Sequence, residues 1–358
     1  MSRQIPSRVL ILGLLIGLLL QLQACSLYRD DESPAEYYEF REFDILELGK
    51  NITDMKFDPN QPYLYLADYG NNQILRIDVS GDMKVDRTLR VGSHPIALDI
   101  TPNEQFLVVG LNGEAKLELI DLGTFTIAKR VPFTANEVSF VACGRNSEVY
   151  VSSLVDQYLT TVSTTEDREI RHNIRTGAVA VDHGEGSLFI ASKNGLQKYD
   201  INGSVPVLKS SLINFRFFAD IHHISLNKAS GQVFVCLSDP ADPGEVKDVY
   251  AYNTLDASLA GKFPVGSAGL GVAVSRNGQR VFVAPTDADK AGAFVVEFDG
   301  QTRLETNYYL AAGNLKERGL IIDKEEKYIY IIVFTPGDSG TFEPYNSNSY
   351  DLQRIRIK

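Results

Sequence analysis

The apolar positions of this chain recur as a short three-residue pattern, an aromatic residue flanked by two aliphatic residues. Its copies are Leu64-Tyr65-Leu66, Val149-Tyr150-Val151, Leu188-Phe189-Ile190, Val233-Phe234-Val235, Val281-Phe282-Val283 and Ile329-Tyr330-Ile331. A seventh copy, Leu107-Val108-Val109, has valine in place of the aromatic residue. Successive copies begin 43, 42, 39, 45, 48 and 48 residues apart. Repeats of this length made of short strands are typical of β-propeller blades, so seven copies predict seven blades.

The residues around each copy predict four short antiparallel strands per repeat. Residues 91–109 and 265–283 align best, since both begin with Val-Gly-Ser, pass through an apolar strand and a polar turn, and reach the three-residue pattern. Alternate residues of a strand face opposite sides, so the aromatic residue should pack on one neighbouring blade and its flanks on the other. A β-sandwich is the alternative, but a sandwich gives no reason for this period.

The two ends of the repeat region predict how the ring closes. The last repeat ends at its third strand, Leu352 to Ile357, whereas Asp44 to Gly49 has the character of a fourth strand. We expect the N-terminal segment to complete blade seven and remove an edge open to pairing. The predicted fold of residues 42–358 is therefore all-β, a seven-bladed propeller of four-stranded blades. Cys143 and Cys236, in blades three and five, are expected to be small buried residues rather than a disulfide.

A family resemblance supports this fold. The repeats at 91–109 and 265–283 resemble the YVTN family of bacterial propellers, and Ala67 to Ile74 resembles the related NHL repeat. The resemblance covers residues 42–358 and implies a propeller. It does not imply one function, because the same ring hosts lactonases, lyases, haem proteins, surface-layer proteins and interaction scaffolds.

Residues 1–24 predict an export signal that is not part of the fold. Arg3 and Arg8 precede an apolar run from Val9 to Leu20, which is too short to span a bilayer comfortably. The segment Leu22-Gln23-Ala24-Cys25 resembles the bacterial lipobox, although glutamine is unusual at its position there. The resemblance implies lipidation of Cys25. An ordinary secretory signal with an incidental cysteine is the alternative.

The segment that begins at the cysteine predicts a flexible tether and a cellular location. Residues 25–41 are polar and lack periodicity, so we expect a lipidated Cys25 followed by a flexible linker. If the host has an outer membrane, serine rather than aspartate after the cysteine, here Ser26, resembles the pattern of lipoproteins that are sent to that membrane. The expected location is the bacterial outer membrane, with the ring facing the periplasm or the cell surface.

The charge of the mature chain narrows the class of partner. Removal of the signal leaves 33 basic and 46 acidic residues, a formal charge of −13. This balance disfavours nucleic acid and flat contact with an anionic membrane. We expect membrane contact through the lipid anchor only, and a partner that is an envelope protein or polymer.

Polar residues are predicted to ring the mouth of the central channel, because the start of each inner strand lies there. They are Asn51, His94, Asn136, Glu137, Arg175, Asp220, His222 and Arg318. Such residues can equally be solvated channel walls. A metal would need three or four convergent ligands, which His94, Glu137 and His222 could supply only at matching heights, so no metal site and no cofactor is predicted. In a strand, only one of His222 and His223 can face the channel.

The loops after the three-residue pattern open on the same face and are long in blades five, six and seven, spanning 238–248, 285–292 and 335–350. Long loops clustered on one face favour binding. The predicted binding residues are Asp239, Asp242, Asp287, Asp289, Phe342, Tyr345, Asn346 and Tyr350. The acidic loops match no EF-hand spacing, and solvated surface is the alternative for them.

Two functions remain open at this stage. The sequence has no Gly-x-Ser-x-Gly, His-Glu-x-x-His, phosphate-binding glycine loop or Cys-x-x-Cys-His. The leading hypothesis is therefore a binding scaffold that uses the long-loop face of blades five to seven. The alternative is a lactonase- or lyase-like enzyme at the channel mouth. Its candidate catalytic residues are His94, Glu137, His222 and Arg318, as acid, base and anion anchor.

Overall fold

In the computed structural model, the strands of the described residues form seven four-stranded antiparallel sheets. The structure describes residues 43–49, 51–134, 137–156, 158–193, 195–213, 220–238, 246–286, 294–335 and 349–358. These residues belong to one compact unit, Arg41–Lys358. A search of them finds no helix with the length and apolar character that crossing a membrane requires.

The strands follow the predicted order, four to a blade, after an N-terminal strand β1 (Phe43–Glu47). Blade one contains β2 to β5 (Ile52–Phe57, Tyr63–Asp68, Gln73–Asp78, Lys84–Arg90), and blade two contains β6 to β9 (Pro95–Ile100, Phe106–Leu111, Lys116–Asp121, Thr126–Pro132). Blade three contains β10 to β13 (Phe140–Cys143, Glu148–Ser152, Leu159–Ser163, Glu169–His172), and blade four contains β14 to β17 (Ala178–Asp182, Ser187–Ser192, Gly195–Asp200, Val207–Ile213). Blade five contains β18 to β21 (Asp220–Asn227, Gln232–Ser238, Asp248–Asn253, Leu259–Pro264), and blade six contains β22 to β25 (Gly269–Val274, Arg280–Pro285, Phe294–Asp299, Glu305–Leu310). Blade seven contains β26 (Asn314–Ile322), β27 (Tyr328–Thr335) and β28 (Ser349–Arg356).

The N-terminal strand closes the ring, as predicted. β1 pairs antiparallel with β28, which makes it the fourth strand of blade seven. The first strand of every blade contacts the first strands of the blades on both sides, including β26 of blade seven against β2 of blade one. The Arg354 guanidinium also binds the Asp44 carboxylate across the closure. The seven first strands therefore surround a central channel.

The three-residue pattern packs between blades in the predicted way. Tyr65 belongs to the core between blades one and two, whereas its flanks Leu64 and Leu66 belong to the core between blades seven and one. Phe282 and Tyr330 likewise lie in a different inter-blade core from the two aliphatic residues that flank each of them. Each blade thus buries both faces, which a single twisted sheet cannot do alone. Cys143 and Cys236 are buried and free, as expected.

One face of the ring carries both the starts of the first strands and the ends of the second strands. In register, Ile52 pairs with Asp68 and Asp220 with Ser238. We call this the mouth face. The long loops of blades five, six and seven leave their second strands here, after Ser238, Pro285 and Thr335.

Candidate functional site

The first strands of five blades lose their register just below the mouth face. The residues left without a partner across the hairpin are Thr53, Ile96, His222, Leu270 and residues 316–319. A bulge bends its strand and re-aims the side chain of the extra residue. The bulge in β18 separates His222 from His223, which returns to the regular ladder opposite Cys236. The two adjacent histidines therefore lie in different environments.

A groove of about 460 Å³ opens on the mouth face where blades four, five and seven approach one another. We call it the mouth groove. Its ionisable lining residues are Arg175, Lys193, Asp220, His222 and Glu317. Lys193 Nζ lies 3.7 Å from Asp220 Oδ1. The volume lies within the range of small-molecule pockets, and the mixed charges suit a polar ligand.

His222 is held at both ring nitrogens. Its Nδ1 lies 2.8 Å from Glu317 Oε1, and its Nε2 lies 2.7 Å from Ser238 Oγ. An ionised carboxylate only accepts hydrogen bonds, so Nδ1 carries the proton and Nε2 accepts from the serine hydroxyl. The His222 side chain is 14% exposed and that of Glu317 is 47% exposed. The three residues thus form a chain from a hydroxyl through an imidazole to a carboxylate.

Blade seven supplies the charges around Glu317. The hydrogen bond with His222 lowers the pKa of Glu317 against the opposing effect of burial, and the positive charges of Lys316 and Arg318 lower it further. Burial lowers the pKa of Lys316, and so does Arg318, whereas Glu317 raises it. The carboxylate is therefore held in its charged form, as the hydrogen bond to Nδ1 requires.

His94 and Glu137 have surroundings of their own outside the mouth groove. The His94 ring stacks on Tyr69 with centroids 4.4 Å apart, and its backbone is left-handed with φ of 57°. Glu137 Oε1 lies 3.5 Å from Ser139 Oγ. Within the described residues, no hydrogen bond or ion pair joins any two of the four catalytic candidates.

Arg318 points away from the mouth groove and across the channel. Its backbone is left-handed with φ of 56°. The guanidinium lies 4.3 Å from the centroid of the Phe140 ring and donates to the carbonyl oxygen of Ser139 at 3.2 Å. A longer contact of 3.5 Å reaches the carbonyl oxygen of Ile96. Arg318 therefore links blade seven to blades two and three.

Most of the predicted loop residues lie outside the described ranges. This holds for Asp239, Asp242, Asp287, Asp289, Phe342, Tyr345 and Asn346, and also for Cys25. Tyr350 is described, and it is 9% exposed. Its ring packs against Phe334 with centroids 6.0 Å apart, in the core between blades seven and one. The backbone of Tyr350 also accepts the amides of Leu48 and Gly49, so this residue supports the closure.

The central channel contains a cavity of about 370 Å³, and the charged residues in its lining include Asp54, Lys56, Asp99 and Arg318. Lys56 Nζ lies 3.5 Å from Asp99 Oδ1. Burial lowers the pKa of Lys56, but the carboxylates of Asp99 and Asp54 outweigh it and the net shift is upward. Burial raises the pKa of Asp54, although Arg318 and Lys56 act in the opposite direction. The two cations and two carboxylates compensate one another inside the ring.

Side chains of the first strands also bond one blade to the next. Asp54 Oδ2 accepts the amide of Leu98 at 2.8 Å, and Asp99 Oδ2 accepts the amide of Cys143 at 2.7 Å. His223 Nδ1 accepts the amide of Val272 at 3.1 Å between blades five and six. Burial, with Lys56 and Arg318, lowers the pKa of His223 to about 3, so the ring is neutral and able to accept. These residues support the ring itself.

Two other features of the described residues concern metal binding and a second cleft. Within the described ranges, no three His, Cys, Asp or Glu side chains are grouped closely enough to hold a metal ion. A second cleft of about 850 Å³ lies between blades two and three at the face opposite the mouth, where Pro102, Lys129 and Ser147 form part of its wall. It contains none of the predicted catalytic or binding residues.

Sequence reasoning identified His222 but missed its two partners. Ser238 begins the long loop of blade five and Glu317 precedes Arg318, but neither residue was among the predicted site residues. His222 and Glu317 are separated by 95 residues and by two blades, so no local motif joins them. The only available signal was position, since Ser238 and Glu317 both lie where the prediction placed the channel mouth.

Comparisons with known proteins identify the fold. No protein-family model matches the sequence, and no curated protein matches it. Among solved structures, a chain of one titled "Crystal Structure of Mitotic Checkpoint Complex" is similar, with a TM-score of 0.66 over 92% of this chain and 98% of that chain. The sequences are 12% identical. This similarity concerns the propeller fold alone, which serves many unrelated functions.

Proposed function

We propose that this protein is a lipid-anchored binding module of the bacterial cell envelope. In this proposal the mouth face of blades five to seven docks an envelope protein or polymer, and Cys25 holds the ring at the outer membrane. The YVTN- and NHL-like repeats and the lipobox-like segment support the envelope assignment. Propellers often serve as scaffolds, and the similar solved chain comes from a structure of a complex.

The main support for the proposal is that the long loops of blades five to seven begin on the same face of the ring. The second strands of blades five, six and seven end on the mouth face, at Ser238, Pro285 and Thr335, and blades five and seven also contribute residues to the mouth groove. In blade four the corresponding hairpin is as short as two residues, because Ser192 pairs with Gly195. Extra chain is therefore concentrated on one side of one face, where binding residues are usually found.

The register of blade seven permits a clean test. Thr335 pairs directly with Ser349, so residues 336–348 can be replaced by an Asn-Gly turn without moving either strand. The replacement keeps Tyr350, which the core needs. We expect the variant to remain folded and at the membrane but to lose its cross-linked envelope partners, measured by quantitative mass spectrometry after cross-linking in intact cells.

A matched control changes a loop on the opposite face. Residues 203–205 are exposed between β16 and β17, and their replacement by glycine and serine leaves the mouth face intact. This control should keep the partners of the unmodified protein. An unchanged set of partners in the blade-seven variant, with normal amounts of folded protein, would contradict the assignment of this face.

A further inference from the structure

The strongest unassigned feature of the molecule is the chain of hydrogen bonds through Ser238, His222 and Glu317. The two distances, 2.7 Å and 2.8 Å, are those of a nucleophile held against a base and of a base held by a carboxylate. The geometry of these roles, not their order in the sequence, defines such an arrangement. The absence of a Gly-x-Ser-x-Gly motif therefore does not argue against it.

Two of the three groups line the ligand space, and the third lies against His222. His222 and Glu317 line the mouth groove. Ser238 is half-buried and ends β19 directly opposite Asp220, another residue of the groove. His222 occupies the bulge of β18, and Glu317 occupies the irregular segment of β26. Irregular backbone next to a cavity commonly serves to aim functional side chains.

We propose that the mouth groove is a hydrolytic site for esters or lactones, with Ser238 as nucleophile, His222 as general base and acid, and Glu317 as the positioning residue. Glu317 fixes the tautomer of His222 and stabilises the imidazolium that forms during the reaction. This activity is additional to binding through the long loops and does not depend on it. The catalytic residues belong to strands that the loop replacement at 336–348 leaves in place.

The reaction balances with water as the second substrate. Ser238 Oγ attacks the carbonyl carbon while His222 Nε2 takes the hydroxyl proton. The bond between the acyl carbon and the leaving oxygen breaks, and His222 returns the proton to that oxygen. Water then attacks the acyl group on Ser238, giving one proton to His222. Release of the carboxylic acid restores the serine, which regains its proton from His222.

The cations of the groove indicate the kind of substrate. Arg175 and Lys193 line the same groove as His222, and a cationic side chain can stabilise a developing oxyanion or hold an anionic group of the substrate. The volume of about 460 Å³ suits a small molecule rather than a polymer segment. We therefore expect small esters or lactones, with preference for those that carry a negative charge.

The experiment uses the full chain, purified in mild detergent. A fluorophosphonate probe should modify Ser238, as identified by peptide mass spectrometry, and p-nitrophenyl butyrate and dihydrocoumarin should be hydrolysed above the buffer rate. Ser238→Ala should abolish both signals, and His222→Ala should lower both at least about 100-fold. Thermal unfolding of each variant checks that the ring is folded.

A second variant separates positioning from structure. Glu317→Gln should lower kcat at least about 100-fold with little change in KM, because an amide supports the wrong tautomer of His222. Glu317→Asp should restore part of the rate. Glu325→Gln, an exposed change elsewhere in blade seven, is the matched control and should leave the rate unchanged.

The negative outcomes are equally specific. A folded protein that is neither labelled nor active on either substrate would overturn the proposal, as would labelling confined to another serine. Full activity in Glu317→Gln would overturn the three-residue arrangement. Loss of envelope partners in the loop variant with hydrolysis retained, or the reverse, would show which of the two functions fails.

Discussion

The guanidinium of Arg318 donates a hydrogen bond to the carbonyl oxygen of Ser139 at 3.2 Å, which joins blade seven to blade three across the mouth of the channel. The same side chain lies over the Phe140 ring and provides positive charge near Asp54. The residue chosen from the sequence as an anion anchor thus has a structural role that spans the ring. Glu317, its neighbour, is the residue turned toward the mouth groove.

The first prediction concerns the contacts by which Arg318 links blades across the channel. Arg318→Ala should lower the free energy of unfolding by about 1–3 kcal/mol, because partly buried carbonyl oxygens lose a charged donor and Asp54 loses a nearby cation. Urea unfolding at neutral pH measures the change. Arg90→Ala removes an exposed arginine and should stay within about 0.5 kcal/mol of the unmodified protein. Equal effects of the two changes would contradict the structural role given to Arg318.

The second prediction concerns pH and His223. Its pKa of about 3 in the folded ring lies below the usual value of 6.5, so the unfolded chain binds the proton more readily. The stability that neutral His223 confers is complete above pH 6.5 and is lost as the pH falls toward 3. From these two pKa values, we expect a loss of about 1–2 kcal/mol between pH 7 and pH 5.

The test of His223 is a difference between two proteins. His223→Asn keeps an acceptor for the Val272 amide but does not titrate in this range. The variant should therefore lack this part of the acid sensitivity, measured by urea unfolding at pH 7 and pH 5. Carboxylates elsewhere contribute equally to both proteins. Identical slopes of stability against pH would contradict the role given to His223.

The third prediction concerns the closure of the ring. Deletion of residues 1–48 removes β1 and exposes β28 as an edge, whereas deletion of residues 1–41 keeps it. The longer deletion should cost about 3 kcal/mol and promote association through the open edge. Thermal unfolding and size-exclusion chromatography compare the two. If both proteins are equally stable and monomeric, β1 does not contribute to closure.

The fourth prediction concerns the anchor. Cys25→Ser should abolish incorporation of labelled palmitate and move the protein from the membrane fraction to the soluble exported fraction, because the proposed signal is retained while the thiol proposed to be acylated is lost. Cys143→Ser changes a buried residue of blade three and should leave the distribution of folded protein unchanged. Continued membrane association of Cys25→Ser in cells would favour an ordinary secretory signal.

The sequence determined the ring. The three-residue pattern reports how each second strand packs between two neighbours, and Tyr65 with its flanks Leu64 and Leu66 shows that division directly. Such packing depends on residues close together in the chain and repeats in every blade. The number of blades, the strand order and the closing segment at Asp44 could therefore be predicted without coordinates.

Only the tertiary structure decided which side chains meet at the mouth. A bulge in β18 turns His222 toward Glu317, which the chain reaches 95 residues later, and a register break in β26 sends Arg318 across the channel. Neither irregularity has a signature in the hydrophobic pattern, because a bulge changes where a side chain points and leaves the apolar residues on either side unchanged. Periodic packing is encoded locally, whereas a site assembled across the ring depends on the few positions where that periodicity breaks.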